Sequence, residues 1–306
     1  MISKTPKFWE NKYHLLTFAL YPFSIIYYIF FKLNSFLQKQ NRRKLKLKAI
    51  CIGNIYLGGT GKTPLAHKIF QDLKNNRKCC VLKKFNKNQD DEIKMLRQKT
   101  TLFTPKTRLS GLLHAEKNGF DTVILDDGMQ DYSFNKYKSI LCIKSDVGFG
   151  NEFMIPAGPL REPLSSIKNY NIALINGNKC ELIEKKLRKI HKDIIIFYSK
   201  YTIQNKAKYL NKKFLAFSGI SNNDSFFRLL KFNNLDIKLT KSFEDHHSFT
   251  NHEIEYLLNI CNQQKLNIIT TEKNYHGIPC QYKDKISYIK LKLEINNLEK
   301  FLNEIN

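Results

Sequence analysis

From Leu47 onward, short runs of Val, Ile, Leu and Cys alternate with stretches whose apolar residues recur three and four positions apart. Ala49–Ile52, Cys79–Leu82, Thr122–Leu125 and Ile140–Ile143 read as strands. Pro64–Leu73 and Arg108–Lys117 carry the helical spacing. Strand–helix–strand order of this kind predicts a largely parallel sheet with helices on its faces. After about residue 170 the alternation restarts, with Ile172–Ile175, Ile194–Tyr198 and Phe214–Phe217 as strands and Asp224–Leu230 and Glu253–Cys261 as helices. The pattern predicts an α/β lobe over 46–170 and a second, smaller α/β lobe over 171–306.

One segment breaks the alternation. Residues 13–31 hold no formal charge, and Pro22 sits near their middle. The run is barely long enough to cross a bilayer, is rich in Tyr, and includes Thr17 and Ser24. Lys4, Lys7 and Lys12 precede it; Lys32, Lys39, Arg42, Arg43, Lys44, Lys46 and Lys48 follow. No small-residue cleavage site follows it, which argues against a cleaved signal peptide. An aromatic, apolar helix beside a polybasic stretch suits an anionic membrane interface, so residues 1–45 are read as membrane-associated. A helix buried against the domain and a single membrane span are the alternatives.

Composition sharpens this picture in one respect. Among 306 residues, 42% hydrophobic and 25% charged, the formal net charge is +24. The apolar content excludes wholesale disorder. The charge favours polyanionic neighbours: nucleic acid, an anionic membrane face or a phosphorylated substrate. The seven cysteines are scattered and form no Cys-x-x-Cys pair, so neither a disulfide framework nor a zinc site is indicated.

The strongest chemical signal is Gly53-Asn54-Ile55-Tyr56-Leu57-Gly58-Gly59-Thr60-Gly61-Lys62-Thr63-Pro64, between a predicted strand and an amphipathic helix. This is the context a phosphate-binding loop requires. Backbone N–H groups of Gly58, Gly59, Thr60, Gly61, Lys62 and Thr63 would close on phosphate oxygens, aided by the helix N-terminus. Lys62 would reach the β- and γ-phosphates and the Thr63 hydroxyl would hold Mg2+. The strict pattern has glycine where Tyr56 stands. Asp126 and Asp127 close the run Thr122–Leu125, at the carboxyl end of a strand where α/β ligands gather. They are the candidate Mg2+ carboxylates; an Asp-Gly surface turn is the bland alternative.

Four blocks, the Gly53–Pro64 loop, Asp126-Asp127-Gly128-Met129-Gln130, Pro156-Ala157-Gly158-Pro159-Leu160-Arg161-Glu162-Pro163 and Asp245-His246-His247, resemble in that order the tetraacyldisaccharide 4'-kinases of lipid A synthesis. Ala216–Ile220 and Thr271–Asn274 are similar to later blocks of that family. The resemblance implies a P-loop NTPase-type sheet and transfer of the ATP γ-phosphoryl group to the 4'-hydroxyl of an acylated glucosamine disaccharide lipid, at the cytoplasmic face of the inner membrane. It implies Asp91 as base, assisted by His246, with Lys62 and Mg2+ meeting transition-state charge, helped by Arg108 or Arg161. Asn54, Arg108, Gln130, Arg161 and Glu162 are the implied acceptor-binding residues.

The chain departs from that family in places. Leu82-Lys83-Lys84-Phe85-Asn86 stands where Ser-Arg-Gly-Tyr-Gly is usual, Asp90 replaces a glycine before Asp91, and Asp131 replaces a histidine. A diverged kinase of another lipid or sugar acceptor and a nucleotide-dependent membrane switch compete with the kinase reading, although no Asn-Lys-x-Asp guanine-reading motif is present. Nucleic acid is not expected as a partner, because the lysines spread along the chain without a recognised binding module.

Overall fold

The computed structural model describes residues 6–86, 90–220, 222–245 and 247–306, and for residues 90–92 the backbone alone. In chain order the elements are α1 (Leu15–Gln40), β1 (Lys48–Gly53), α2 (Lys62–Leu73), β2 (Cys79–Lys83), α3 (Asp90–Lys99), β3 (Leu102–Phe103), α4 (Arg108–Lys117), β4 (Thr122–Asp126), β5 (Lys138–Lys144), β6 (Ile172–Asn176), α5 (Glu181–Ile190) and β7 (Ile195–Ile203). Then follow β8 (Lys213–Ser218), α6 (Asn223–Phe232), β9 (Asp236–Ser242), α7 (Asn251–Gln264), β10 (Asn267–Thr271), α8 (Glu272–His276), β11 (Ser287–Ile289), β12 (Leu291–Ile295) and α9 (Leu298–Ile305). The chain divides into two compact units, one of residues up to 85, 96–200 and 293–306, the other of residues 86–95 and 201–292.

The first unit is built on an eight-stranded sheet in the order β12-β7-β6-β5-β1-β4-β2-β3. From β7 through β3 every neighbouring pair is parallel. Strands β2 and β4 are buried at every position, as both faces of a parallel sheet must be when helices cover them. Helix α2 supplies such a cover with Leu65, Ala66, Ile69, Phe70 and Leu73. The chain leaves β1 toward β2 on one side and later returns to β5 on the other, the reversal that opens a crevice at the carboxyl ends of such strands. Register fixes what stands there: Ile52 of β1 and Lys83 of β2 both pair with Asp126 of β4.

The predicted strands and helices recur, most within a residue or two, although β7 runs five residues past the predicted Tyr198 and α7 three past Cys261; the lobe boundary near residue 170 does not recur. Strand β6 pairs with β5 from Ile140↔Ile172 to Lys144↔Asn176, and β7 pairs with β6. The first sheet therefore continues to about residue 200, and the second begins at β8. A buried parallel strand reads the same in either sheet, so only the ladder assigns it.

Helix α1 is turned inside out. It buries Thr17, Ser24 and Ser35 and leaves Phe18, Phe23, Ile29 and Phe30 more than half exposed. The alternative of a helix buried against the domain is thereby set aside. Tyr27 and Phe31 pack against the core of the unit, and the polar side of the helix adds hydrogen bonds. The Ser24 hydroxyl donates to the Met154 carbonyl at 2.8 Å and accepts the Ala157 N–H at 3.0 Å. The Tyr27 hydroxyl donates to the Arg161 carbonyl at 3.1 Å, and Gln38 Oε1 accepts the Tyr132 N–H at 2.8 Å.

The second unit holds a four-stranded parallel sheet, β11-β10-β8-β9. Alternation along β8 sends Phe214 and Ala216 to a core with Phe226, Phe227 and Leu230 of α6. Leu215 and Phe217 go to the opposite face, with Ile254, Leu257 and Cys261 of α7. Thr250 and Glu253 form a reciprocal cap that fixes the start of α7.

Candidate active site

The loop between β1 and α2 is held open from outside. Gly53 is required at its root, because a Cβ there would lie 2.5 Å from Met129 Cβ. Gly58 at φ 136° and Gly61 at φ 91° take conformations that L side chains rarely adopt. Asn54 is fully buried and its amide donates to the carbonyls of Tyr56 at 2.6 Å and Gly58 at 3.1 Å. The proline-rich segment clamps the other side: Leu57 N–H donates to the Pro159 carbonyl at 2.8 Å, and Arg161 N–H to the Ile55 carbonyl at 2.7 Å. With carbonyls thus engaged, the amides face away. Among the described residues, the backbone N–H groups of Gly58, Gly59, Thr60, Gly61 and Lys62 donate to no protein acceptor. They precede and open α2, whose N-terminus has no side-chain cap. Such a row of donors at a helix start is an anion site.

Lys62 is the first residue of α2 and its ammonium donates to Asn54 Oδ1 at 3.0 Å. Burial lowers its pKa, and Asp127 at 3.7 Å opposes that shift. Asp127 has φ 63°, a left-handed turn that swings its carboxylate off the strand line. Arg161 donates to it through both terminal nitrogens, at 2.9 and 3.2 Å, and also donates to Asn54 Oδ1 and, at 2.9 Å, to the Asn54 carbonyl. Arg108, the first residue of α4, donates to the Asp127 carbonyl at 2.6 Å. Burial alone would raise the Asp127 pKa, but Lys62, Arg161 and Arg108 hold it far below the usual carboxylate range.

Asp126 lies in a different environment. It is buried at the end of β4, and its Oδ2 accepts from the Thr63 hydroxyl at 2.8 Å and from Lys83 Nζ at 2.7 Å. Its Oδ1 is sealed from solvent with no hydrogen-bond partner among the described residues. An orphaned carboxylate oxygen beside a threonine hydroxyl and a second carboxylate fits Mg2+, a hard cation that takes one or two carboxylates plus substrate phosphates. Lys83 would share Asp126 with the ion. Sequence reasoning had passed over Lys83 as a departure. The signal was available, since it stands where the related pattern has arginine, and the β2–β4 register sets it beside Asp126.

Glu162 is also buried, and both its oxygens lack a close partner, with Gln130, Ser166 and Tyr132 as polar neighbours. Burial raises its pKa, against the pull of Arg161 and Lys136. Of the remaining candidates, Asp91 falls in the first turn of α3 with its side chain outside the described residues, and His246 lies outside them altogether. Their neighbours are described within the second unit: Asp245 pairs with Lys273 at 3.1 Å, and His247 meets Glu253 at 3.0 Å.

Comparison with known proteins identifies the family. Residues 16–306 match the family model described as tetraacyldisaccharide-1-P 4'-kinase. A tetraacyldisaccharide 4'-kinase of Pelagibacter ubique (strain HTCC1062) is 37% identical over 312 residues, covering 100% of this chain and 98% of that protein. A protein of the same name from Francisella tularensis subsp. novicida (strain U112) is 28% identical, covering 95% and 99%. Among solved structures, LpxK from Aquifex aeolicus in complex with ATP has the same fold, with a TM-score of 0.73 at 22% identity over 95% of this chain and 98% of that one. The chain belongs to the tetraacyldisaccharide-1-P 4'-kinase family.

Proposed function

We propose that the protein transfers the γ-phosphoryl group of ATP to the 4'-hydroxyl of tetraacyldisaccharide 1-phosphate in lipid A synthesis. The observation that carries this reading is the row of unspent N–H groups from Gly58 to Lys62, beside a cluster of two carboxylates and four cations, Lys62, Lys83, Arg108 and Arg161, in a member of this family.

The amides of Gly58–Lys62 bind the phosphate oxygens, and the Lys62 ammonium is placed to follow charge onto the γ-phosphoryl group as it transfers. Thr63 and Asp126, with Asp127, would hold Mg2+, which neutralises phosphate charge when bound. Arg161 ties Asp127 to Asn54 and so sets the loop and the carboxylate in one frame. Arg108 braces the same turn. With Gln130 and Glu162, these residues face the acceptor side. Asp91 takes the proton of the attacking hydroxyl, and His246 assists it.

The acceptor is a lipid, and α1 supports catalysis at a membrane surface. Its exposed aromatic and aliphatic face is long and apolar enough to enter or cross a bilayer, and the polybasic residues after it suit an anionic headgroup layer. ATP places that surface on the cytoplasmic side of the inner membrane.

The test is label transfer. Purified protein with Mg2+, γ-labelled ATP and tetraacyldisaccharide 1-phosphate yields a labelled bis-phosphorylated lipid, and Lys62→Ala lowers its rate of formation by about 10²-fold or more. Folded protein that leaves the label in ATP and inorganic phosphate overturns the reading.

A further inference from the structure

The β2–β4 register sets Lys83 opposite Asp126. The lysine is only 5% exposed, a degree of burial that this residue type rarely tolerates without a partner. Its ammonium donates to Asp126 Oδ2 at 2.7 Å and to the Thr63 hydroxyl at 3.4 Å, and that hydroxyl donates to the same Oδ2 at 2.8 Å. Lys83 therefore touches two of the residues read above as Mg2+ ligands. The third, Asp127, is held by Arg161 at 2.9 Å and by Lys62 at 3.7 Å. Each carboxylate offered to a metal ion already carries a cation of the protein.

Stability does not account for the Lys83–Asp126 pair. Desolvating two charges offsets most of their mutual attraction, and apolar side chains of similar volume often serve as well or better. What the pair does change is the field that a second cation meets. Charges a few ångströms apart in a buried site interact more strongly than they do across water. A divalent ion approaching Asp126 Oδ1, the oxygen without a partner among the described residues, meets a carboxylate whose charge Lys83 balances. The missing negative charge is one that nucleotide phosphates carry, and Mg2+ is commonly held by one or two carboxylates together with such phosphates.

We propose that Lys83 is a positioning residue for the metal. By balancing Asp126 it keeps the free divalent ion off the site, so that the ion is bound only together with the nucleotide. The proposal rests on the reading that Thr63, Asp126 and Asp127 hold Mg2+ beside ATP, and it adds the order in which that site is loaded.

The test is titration of the full-length protein with Mn2+, followed by the electron paramagnetic resonance signal of the free ion, with and without a non-hydrolysable ATP analogue. Lys83→Met and Lys83→Gln remove the charge and keep a side chain of similar reach. Without nucleotide, both are expected to bind Mn2+ about tenfold or more tightly than the wild type. Lys83→Arg keeps the wild-type affinity, and adding Asp126→Asn to Lys83→Met removes the gain. A damaged fold weakens a metal site and does not strengthen it, so a gain in affinity separates this role from a structural one. Unchanged or weaker Mn2+ binding by both neutral variants, with analogue-dependent binding by the wild type intact, overturns the proposal and leaves the kinase reading standing. A wild type that takes up Mn2+ as tightly without the analogue as with it also overturns the proposal. Mn2+ that finds no site on the protein even with the analogue removes the metal reading, and the proposal with it.

Discussion

Helices α1 and α2 belong to the same unit and obey opposite rules. Helix α2 buries its apolar residues against the sheet and presents Lys62 and Thr63 at its open end. Helix α1 buries hydroxyls and exposes rings, with Phe23 59% and Phe30 67% accessible. A large exposed apolar face marks a partner or a membrane. Because that face is turned away from the domain, attachment of α1 rests on hydrogen bonds from Ser24, Tyr27 and Gln38 and on the packing of Tyr27 and Phe31 against the core. These bonds land on the 154–161 segment and on Tyr132. The first of these is also the segment that clamps the phosphate loop through Pro159 and Arg161. One stretch of chain thus carries both the nucleotide end and the lipid end of the proposed reaction.

The contrast can be broken at its ends. The largest effect is expected at α2: Lys62→Ala lowers kcat by about 10²- to 10³-fold or more in a label-transfer assay, with membrane binding unaltered. Next comes the exposed face of α1. Replacing Phe18, Phe23, Ile26 and Phe30 with Ser removes side chains whose burial in lipid stabilises by about 1.5–3 kcal/mol each. Co-sedimentation with vesicles should fall by more than a hundredfold while the thermal midpoint of the soluble domain holds. Ser24→Ala sharpens the comparison from the other side. It leaves vesicle binding intact but removes a donor to Met154 and an acceptor for Ala157, destabilising by about 1–2 kcal/mol in denaturant titration.

The smallest effect is a pH dependence. The Glu162 carboxyl has a folded pKa raised by burial, so between its ordinary and raised values the folded state binds more protons than the unfolded state. Its contribution to stability is therefore present at low pH and falls as pH rises through that window. Glu162→Gln flattens that slope in thermal melts recorded from pH 4 upward; an unchanged slope contradicts the burial-driven shift.

Much of this was legible in the chain. Arg108–Lys117 is a helix over the span its periodicity predicts, and the loop from Gly53 to Pro64 lies between a strand and a helix as its spacing requires. Local patterns carried these elements. What the sequence concealed depended on non-local contact. The assignment of Ile172–Asn176 to the first sheet rests on pairing with β5, and the cation on Asp126 rests on the β2–β4 register. The uncharged run at residues 13–31 announced an unusual helix, but which side would face the domain was decided by carbonyls near residues 154 and 161. Asn54 shows the same limit, since its hold on Tyr56 and Gly58 exists only once the loop has closed.

Amide hydrogen exchange across residues 54–65, with and without a non-hydrolysable ATP analogue and Mg2+, tests the central claim most directly. The account predicts rapid exchange at Gly58–Lys62 in the free protein, because those N–H groups have no internal acceptor, and strong protection once the nucleotide is bound. Amides already protected without nucleotide, or indifferent to a saturating concentration of it, would contradict the claim that this loop grips a triphosphate.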